Sequence, residues 1–210
     1  MEFAIPIDPS SFMTYYPLVT QTSATVGTPP KVKYNVTMKD PGGSLGSELN
    51  NWVTELKNMD PNYTTCCIQM SHAINMSFHI ANPKKMVGAK SYRRNTRTFK
   101  IAAAANKEFH YIASVDEKKE FRNTTFESGE EISHRTDGRV ASRTEAKSFI
   151  QGRPGIVVFM GNQSWGVHTE VWEGDDWHQT WMKGRMDQFD WRPLWFWDMG
   201  VPRDDKLPMV

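Results

Sequence analysis

Three stretches of the chain carry a clear hydrophobic pattern. From Cys66 to Phe78 the apolar side chains recur at helical spacing: Cys67, Met70, Ile74 and Phe78 form one stripe, and Cys66, Met70, Ala73 and Ser77 form its neighbour. This is the period of an amphipathic helix. Thr64 and Thr65, either able to accept hydrogen bonds from free amide groups, stand just before it and predict a helix start with both cysteines in its first turn. One of the two must therefore look into the protein or into a cleft. Ile156 to Met160 is an unbroken apolar run of strand length behind the turn residues Gly152-Arg153-Pro154-Gly155, which predicts a central strand covered on both faces. Val167 to Trp172 alternates, Glu173-Gly174-Asp175-Asp176 makes a tight turn, and Trp177 to Met182 is expected to return antiparallel.

The weaker patterns fill in the rest. Lys31 to Met38 alternates enough for a short strand, ended by Asp40-Pro41-Gly42-Gly43. Ser47 to Met59 offers Leu49, Trp52, Val53 and Leu56 on one helical face, and Pro61 closes it. Phe109 to Ile112 reads as a strand, Ser114 to Asn123 as a short helix with an acidic first turn, and Glu145 to Gln151 as a turn or two of helix. His79 to Arg97 is polar and basic, the composition of a solvated loop face. The closing segment, Phe189 to Trp197, is too aromatic to stay in water and must cover the sheet or line a groove. Residues 1–30 hold five prolines among Ser and Thr with no sustained period and are expected to form an arm; residues 31–210 then make one α+β domain.

Composition narrows the partners. With 25 basic and 24 acidic residues in 210 there is no electrostatic reason to expect a nucleic-acid partner. The only 2 cysteines are adjacent, and a bridge between neighbours is strained, so the fold is not a disulfide scaffold. No run approaches the roughly 20 apolar residues of a membrane span, and Met1 to Thr20 lacks the basic start and apolar core of a secretory signal. Export, if it occurs, is expected to use another route.

The chemistry centres on the cysteine helix. Unpaired amide groups in a first helical turn act like roughly half a positive charge, which favours thiolate over thiol. A cysteine on an amphipathic helix is also, simply, one of the residue types most often buried. What favours a nucleophile is the order of the chain: thiol hydrolases follow the cysteine helix with a histidine on a strand and an orienting polar residue on the next strand. His168 lies at the start of the predicted hairpin, and polar residues follow its turn. His72, His79, His110 and His134 have no metal-like spacing, and there is no His-Glu-x-x-His, so no metal or other cofactor is implied.

The segment Cys66-Cys67-Ile68-Gln69-Met70-Ser71-His72-Ala73-Ile74-Asn75 resembles the nucleophile helix of the group-four amidase effectors of type VI secretion, members of the wider NlpC-type papain-like peptidases. Gly155 to Phe159 followed by Trp165 to Gly174 is similar to the family's base segment, and Leu194 to Asp198 to its closing motif. The resemblance runs from about residue 31 to 198. It implies a papain-like, NlpC-type fold in which the nucleophile helix packs on an antiparallel sheet. Matching Ile68, Met70, Ser71 and Asn75 places Cys66 on the family nucleophile and Cys67 on an alanine, while His168 falls on the base.

Departures are informative. Gln69 stands where the family has arginine, and Val167 where it has glycine. The third residue of the family, an aspartate, corresponds to Gln179, which can accept an imidazole N–H bond but adds no charge. With a two-residue turn, Glu170 pairs with Gln179 and both share a sheet face with His168; in another register His178 or Asp176 would serve instead. The resemblance implies a peptidoglycan amidase that cleaves between D-glutamate and meso-diaminopimelate of the peptide stem. Such a toxin is made in the cytoplasm and carried by the secretion apparatus into the periplasm of a target cell, and the producer holds a cognate immunity protein. The alternatives are a papain-like thiol hydrolase or acyltransferase acting on another amide, and a catalytically weakened fold that binds muropeptide or a partner through its tryptophans.

Overall fold

The computed structural model describes residues 5, 7–26, 31–37, 51, 54, 66–81, 96–101, 107–112, 129–132, 142–159, 168–179, 182–184 and 194–200. Among these the element order is α1 (Pro9–Tyr15), β1 (Leu18–Val26), β2 (Lys31–Thr37), α2 (Cys66–Ala81), β3 (Thr96–Ile101), β4 (Lys107–Ile112), β5 (Glu130–Glu131), α3 (Arg143–Ile150), β6 (Gly155–Phe159), β7 (His168–Trp172) and β8 (Leu194–Asp198). The architecture is α+β. A four-stranded antiparallel sheet of order β5-β8-β6-β7 forms its centre, and β1-β2 and β3-β4 are two separate antiparallel hairpins.

Every residue of β6 is buried, as an unbroken apolar run requires of a strand flanked on both edges and covered on both faces. Phe159 lies opposite His168 of β7 and opposite Leu194 of β8, and Gly155 opposite Trp172 and Asp198. Because successive side chains alternate, the sheet feeds two cores. Ile156, Val158, Val171 and Trp197 pack with Cys67, Met70, Ala73 and Ile74 of α2. Val157, Phe159, Trp172, Leu194 and Phe196 pack with Ala146 and Ile150 of α3 and with Trp177 and Met182. Each fully buried aliphatic or aromatic side chain contributes on the order of 1.5–3 kcal/mol, so this two-sided cover is what holds β6 and β7 in place beneath α2.

Local chemistry sets the ends of these elements. Ser142 accepts a hydrogen bond from the Glu145 amide and Glu145 accepts one from the Ser142 amide, a reciprocal cap that starts α3. The turn after β7 has Gly174 at φ 110, a conformation that side chains with a Cβ resist. Its register is the expected one: Glu173 donates to the Asp176 carbonyl, Trp172 pairs with Trp177, and His178 donates to the Val171 carbonyl.

Several expectations are corrected. Among the described residues the return segment makes a single bridge, at Trp177, and 178–179 and 182–184 are bends and turns rather than strand, with the Met182 amide bonded to the Gln179 carbonyl and the Gly184 amide to the Asp176 carboxylate. The aromatic closing segment does more than cover the sheet. Its residues Leu194–Asp198 are β8, inserted between β5 and β6. The proline-rich stretch within 1–30 contains α1 and β1, and Ile5, Ile7, Phe12 and Tyr16 are buried in the same core as α2. It is tied down at both ends, by a parallel bridge between Ile5 and Met199 and by a bond from Gln69 Nε2 to the Pro17 carbonyl at 2.7 Å. β3 falls partly within the stretch expected to be a solvated loop, and β4 contains the expected strand at Phe109 to Ile112. Of the predicted helix from Ser47 to Met59 only 51 and 54 are described, both helical, and the predicted helix at Ser114 to Asn123 lies outside the described residues.

Candidate active site

α2 begins at Cys66, and the first turn of the helix abuts the outer edge of β7. Among the described strands β7 pairs with β6 alone, and its other edge meets Trp177 and His178 at one end and α2 at the other. The Thr169 amide donates to the Cys66 sulfur at 3.4 Å, and Val171 returns its carbonyl to His178. A backbone donor and the free amide end of a helix thus converge on one sulfur, and both favour negative charge there. Cys67 is buried with no exposure, among the apolar side chains between α2 and the sheet. Both cysteines are unbridged.

His168 is the first residue of β7 and is 3% exposed; Cys66 is 1% exposed. Burial by itself would drive the imidazole towards its neutral form, but the negative sulfur of Cys66 and the carboxylate of Glu170 outweigh it and raise the ring to about 9. At neutral pH the ring is therefore an imidazolium facing a sulfur that favours the thiolate. His168 Nε2 stands 3.4 Å from Glu170 Oε2, an ion-pair contact rather than a short hydrogen bond. The other carboxylate oxygen, Glu170 Oε1, accepts the Val171 amide at 2.8 Å, so the carboxylate is anchored by its own strand.

Of the residues singled out in the sequence, Cys66 and His168 are brought together. Gln179 is buried in the return segment, one step beyond the His178–Val171 pair and hence opposite Glu170, yet it makes no hydrogen bond to His168. The acid beside the imidazole is instead Glu170. His178 bonds Glu173 Oε1 at 2.7 Å through Nδ1, and Lys183 Nζ meets the same carboxylate at 3.2 Å. Asp176 accepts the amides of Trp177 and Gly184 and so builds the turn. Gln69, where the resembled family has arginine, is the residue that ties α2 to Pro17.

Glu170 was visible in principle. It follows His168 by two residues on a strand, and such residues share a face. A partner on the next strand, as the family order implies, is not the acid nearest the ring. His72 is a core residue on α2, and burial lowers it to about 4, so it stays neutral. Among the described residues no cluster of His, Cys, Asp and Glu could hold a metal ion.

The arrangement sets a sulfur whose surroundings favour negative charge against an imidazole raised towards its charged form, with an acid beside the ring. Such an arrangement is suited to nucleophilic attack by sulfur on an acyl carbon, with an imidazole placed to pass a proton to a leaving group.

No family model matches the chain, and no curated protein matches it. Solved structures similar to it include the type VI effector Tae4 from Enterobacter cloacae, at 16% identity over 76% of this chain and 82% of that one, with a TM-score of 0.44. A second is the effector Tae4 from Salmonella typhimurium in complex with the immunity Tai4 from Enterobacter cloacae, at 15% identity over 77% and 84% of the chains, with a TM-score of 0.41.

Proposed function

We propose that this protein is a peptidoglycan amidase of the cysteine-peptidase type, cutting the peptide stem between D-glutamate and meso-diaminopimelate, and that it serves as an antibacterial effector of a type VI secretion apparatus. The observation that carries the chemical part is the meeting of Cys66, at the start of α2, with His168 and Glu170 of β7. The resemblance of the cysteine helix, the base segment and the closing motif to the group-four amidase effectors, in the same order, supplies the substrate and the delivery route.

In this reading the Cys66 sulfur attacks the carbonyl carbon of the amide. The C–N bond breaks as the His168 imidazolium gives its proton to the departing amine, leaving a thioester and a neutral imidazole. Water then attacks the thioester carbonyl while His168 takes up its proton. The products are a carboxylic acid and the restored sulfur–imidazolium pair. Glu170 keeps the ring turned and stabilises its charge in both steps.

On the same reading the protein is made in the cytoplasm, acts in the periplasm of a target cell, and has a cognate immunity protein in the producer. A weakened, muropeptide-binding fold is the competing reading, and one experiment separates the two. Purified peptidoglycan treated with the protein should yield fragments with new meso-diaminopimelate amino groups, detected by mass spectrometry, and Cys66→Ala should yield none. No cleavage by the wild type, or equal cleavage by Cys66→Ala, would overturn the proposal.

A further inference from the structure

Tyr16 lies where α1 ends and the chain turns towards β1. Its amide caps the helix through the Met13 carbonyl at 3.2 Å, and the next residue, Pro17, is held by Gln69. Gln69 is one helical turn beyond Cys66, so this tie sets Tyr16 against the first turn of α2. The side chain is 3% exposed and packs in one cluster with Cys66, Cys67 and Val171. Its ring meets His178 edge-on, with centroids 5.5 Å apart and planes at 85°, and His178 is bonded in turn to Glu173, which Lys183 also holds.

The hydroxyl is the unusual part. A tyrosine O–H buried in a core ordinarily has a partner, because leaving one without costs about 1–3 kcal/mol. The Tyr16 hydroxyl has none among the described residues. Glu170 Oε2 is buried too and has no hydrogen-bond partner among the described residues, with His168 Nε2 3.4 Å away. Tyr16 packs against Val171, the neighbour of Glu170, and against His178, which is bonded to the Val171 carbonyl, so this buried donor lies in the neighbourhood of that buried acceptor and feels its charge. Burial and the Glu170 carboxylate, followed by the Cys66 sulfur, hold the Tyr16 hydroxyl protonated well above its ordinary range, so it is available as a donor at any working pH.

We propose that Tyr16 is a positioning residue for the Cys66–His168 pair: its O–H holds Glu170 Oε2 turned towards the imidazole. Glu170 Oε1 is pinned by the Val171 amide, and Tyr16 supplies the second point of attachment. Two points fix the plane of a carboxylate where one leaves it free to rotate. Among the described residues, Cys66 of α2 and Glu170 of its own strand act on His168 directly, and Tyr16 of the N-terminal segment acts through Glu170.

The proposal rests on the reading of Cys66 and His168 as a reacting pair for its turnover arm, while its titration arm stands without that reading. Tyr16→Phe keeps the ring and its packing on His178 and removes only the O–H. The midpoint of the His168 ring, followed by NMR and assigned with His168→Gln, should fall by at least half a pH unit. Turnover should drop about 10-fold in kcat with KM unchanged, as expected when ground-state contacts are kept. In a Glu170→Gln background the same Tyr16→Phe change should move neither quantity, because the residue it acts through has been altered. An unchanged midpoint would overturn the proposal, and so would a rise, which would mean that Tyr16 competes with the imidazole for the carboxylate. An equal fall in both backgrounds would overturn it as well. A fall confined to the wild-type background, in a protein that cleaves no amide, would uphold Tyr16 and overturn the amidase reading alone.

Discussion

Glu170→Gln is the sharpest test of the site, because it separates the acid found beside the imidazole from the Gln179 expected from the sequence. The substitution is nearly isosteric, and the glutamine carbonyl can still accept the Val171 amide that Glu170 Oε1 accepts at 2.8 Å. What changes is the atom facing His168. The carboxylate oxygen 3.4 Å from Nε2 becomes an amide nitrogen, a donor where an acceptor stood. The lost attraction is bounded by Coulomb's law: at 3.4 Å and an effective dielectric near 20 it is about 5 kcal/mol. Only part of that survives as a shift, since the Cys66 sulfur continues to favour the imidazolium while burial opposes it. A fall of one to two pH units from about 9 is therefore expected in the His168 midpoint, read by NMR. An amide donor also favours the neutral ring and the wrong proton position for attack, so kcat should fall roughly 10²-fold or more. Gln179→Ala should stay within about 3-fold. A silent Glu170→Gln together with a severe Gln179→Ala would refute the assignment of Glu170 and restore the expectation drawn from the sequence.

Three further outcomes are expected. Iodoacetamide near neutral pH should modify Cys66 before Cys67, as peptide mapping would show, and Cys67→Ala should keep most turnover; preferential labelling of Cys67 would contradict the geometry. His168 is raised from 6.5 to about 9, so the stability its charge contributes is fully present below pH 6.5 and is lost as pH rises through about 9. At about 1.4 kcal/mol per pH unit this is about 3 kcal/mol, and the gap between wild type and His168→Gln in urea denaturation should narrow by that order between pH 6.5 and 10. Gly155→Ala should destabilise the fold by about 1–3 kcal/mol or more, because a Cβ there would lie 2.4 Å from the Phe196 ring and 2.5 Å from the Trp197 carbonyl oxygen; denaturation midpoints unaffected by the change would contradict the β6–β8 packing.

The sequence by itself determined the elements whose signal is local. The apolar spacing from Cys66 onward defines α2, the unbroken run at Ile156 to Phe159 defines a central strand, and Gly174 defines a two-residue turn that sets Trp172 against Trp177. Each depends on side chains within a few residues of one another, so periodicity and turn chemistry suffice. Tertiary structure decided what depends on partners far along the chain. Leu194 to Asp198 carries the same apolar signal whether it covers a sheet or joins one, and only its pairing with β6 makes it β8. The return segment after Gly174 alternates no worse than many strands, yet the Gln179 carbonyl and the Asp176 carboxylate draw it into turns. The N-terminal prolines hide Ile5, Phe12 and Tyr16, whose burial comes from α2 and the end of β8 rather than from any period of their own. The acid of the site was decided in the same way. Both Glu170 and Gln179 could face His168 by register, and it is Glu170, held at Oε1 by the Val171 amide, whose other oxygen approaches the imidazole.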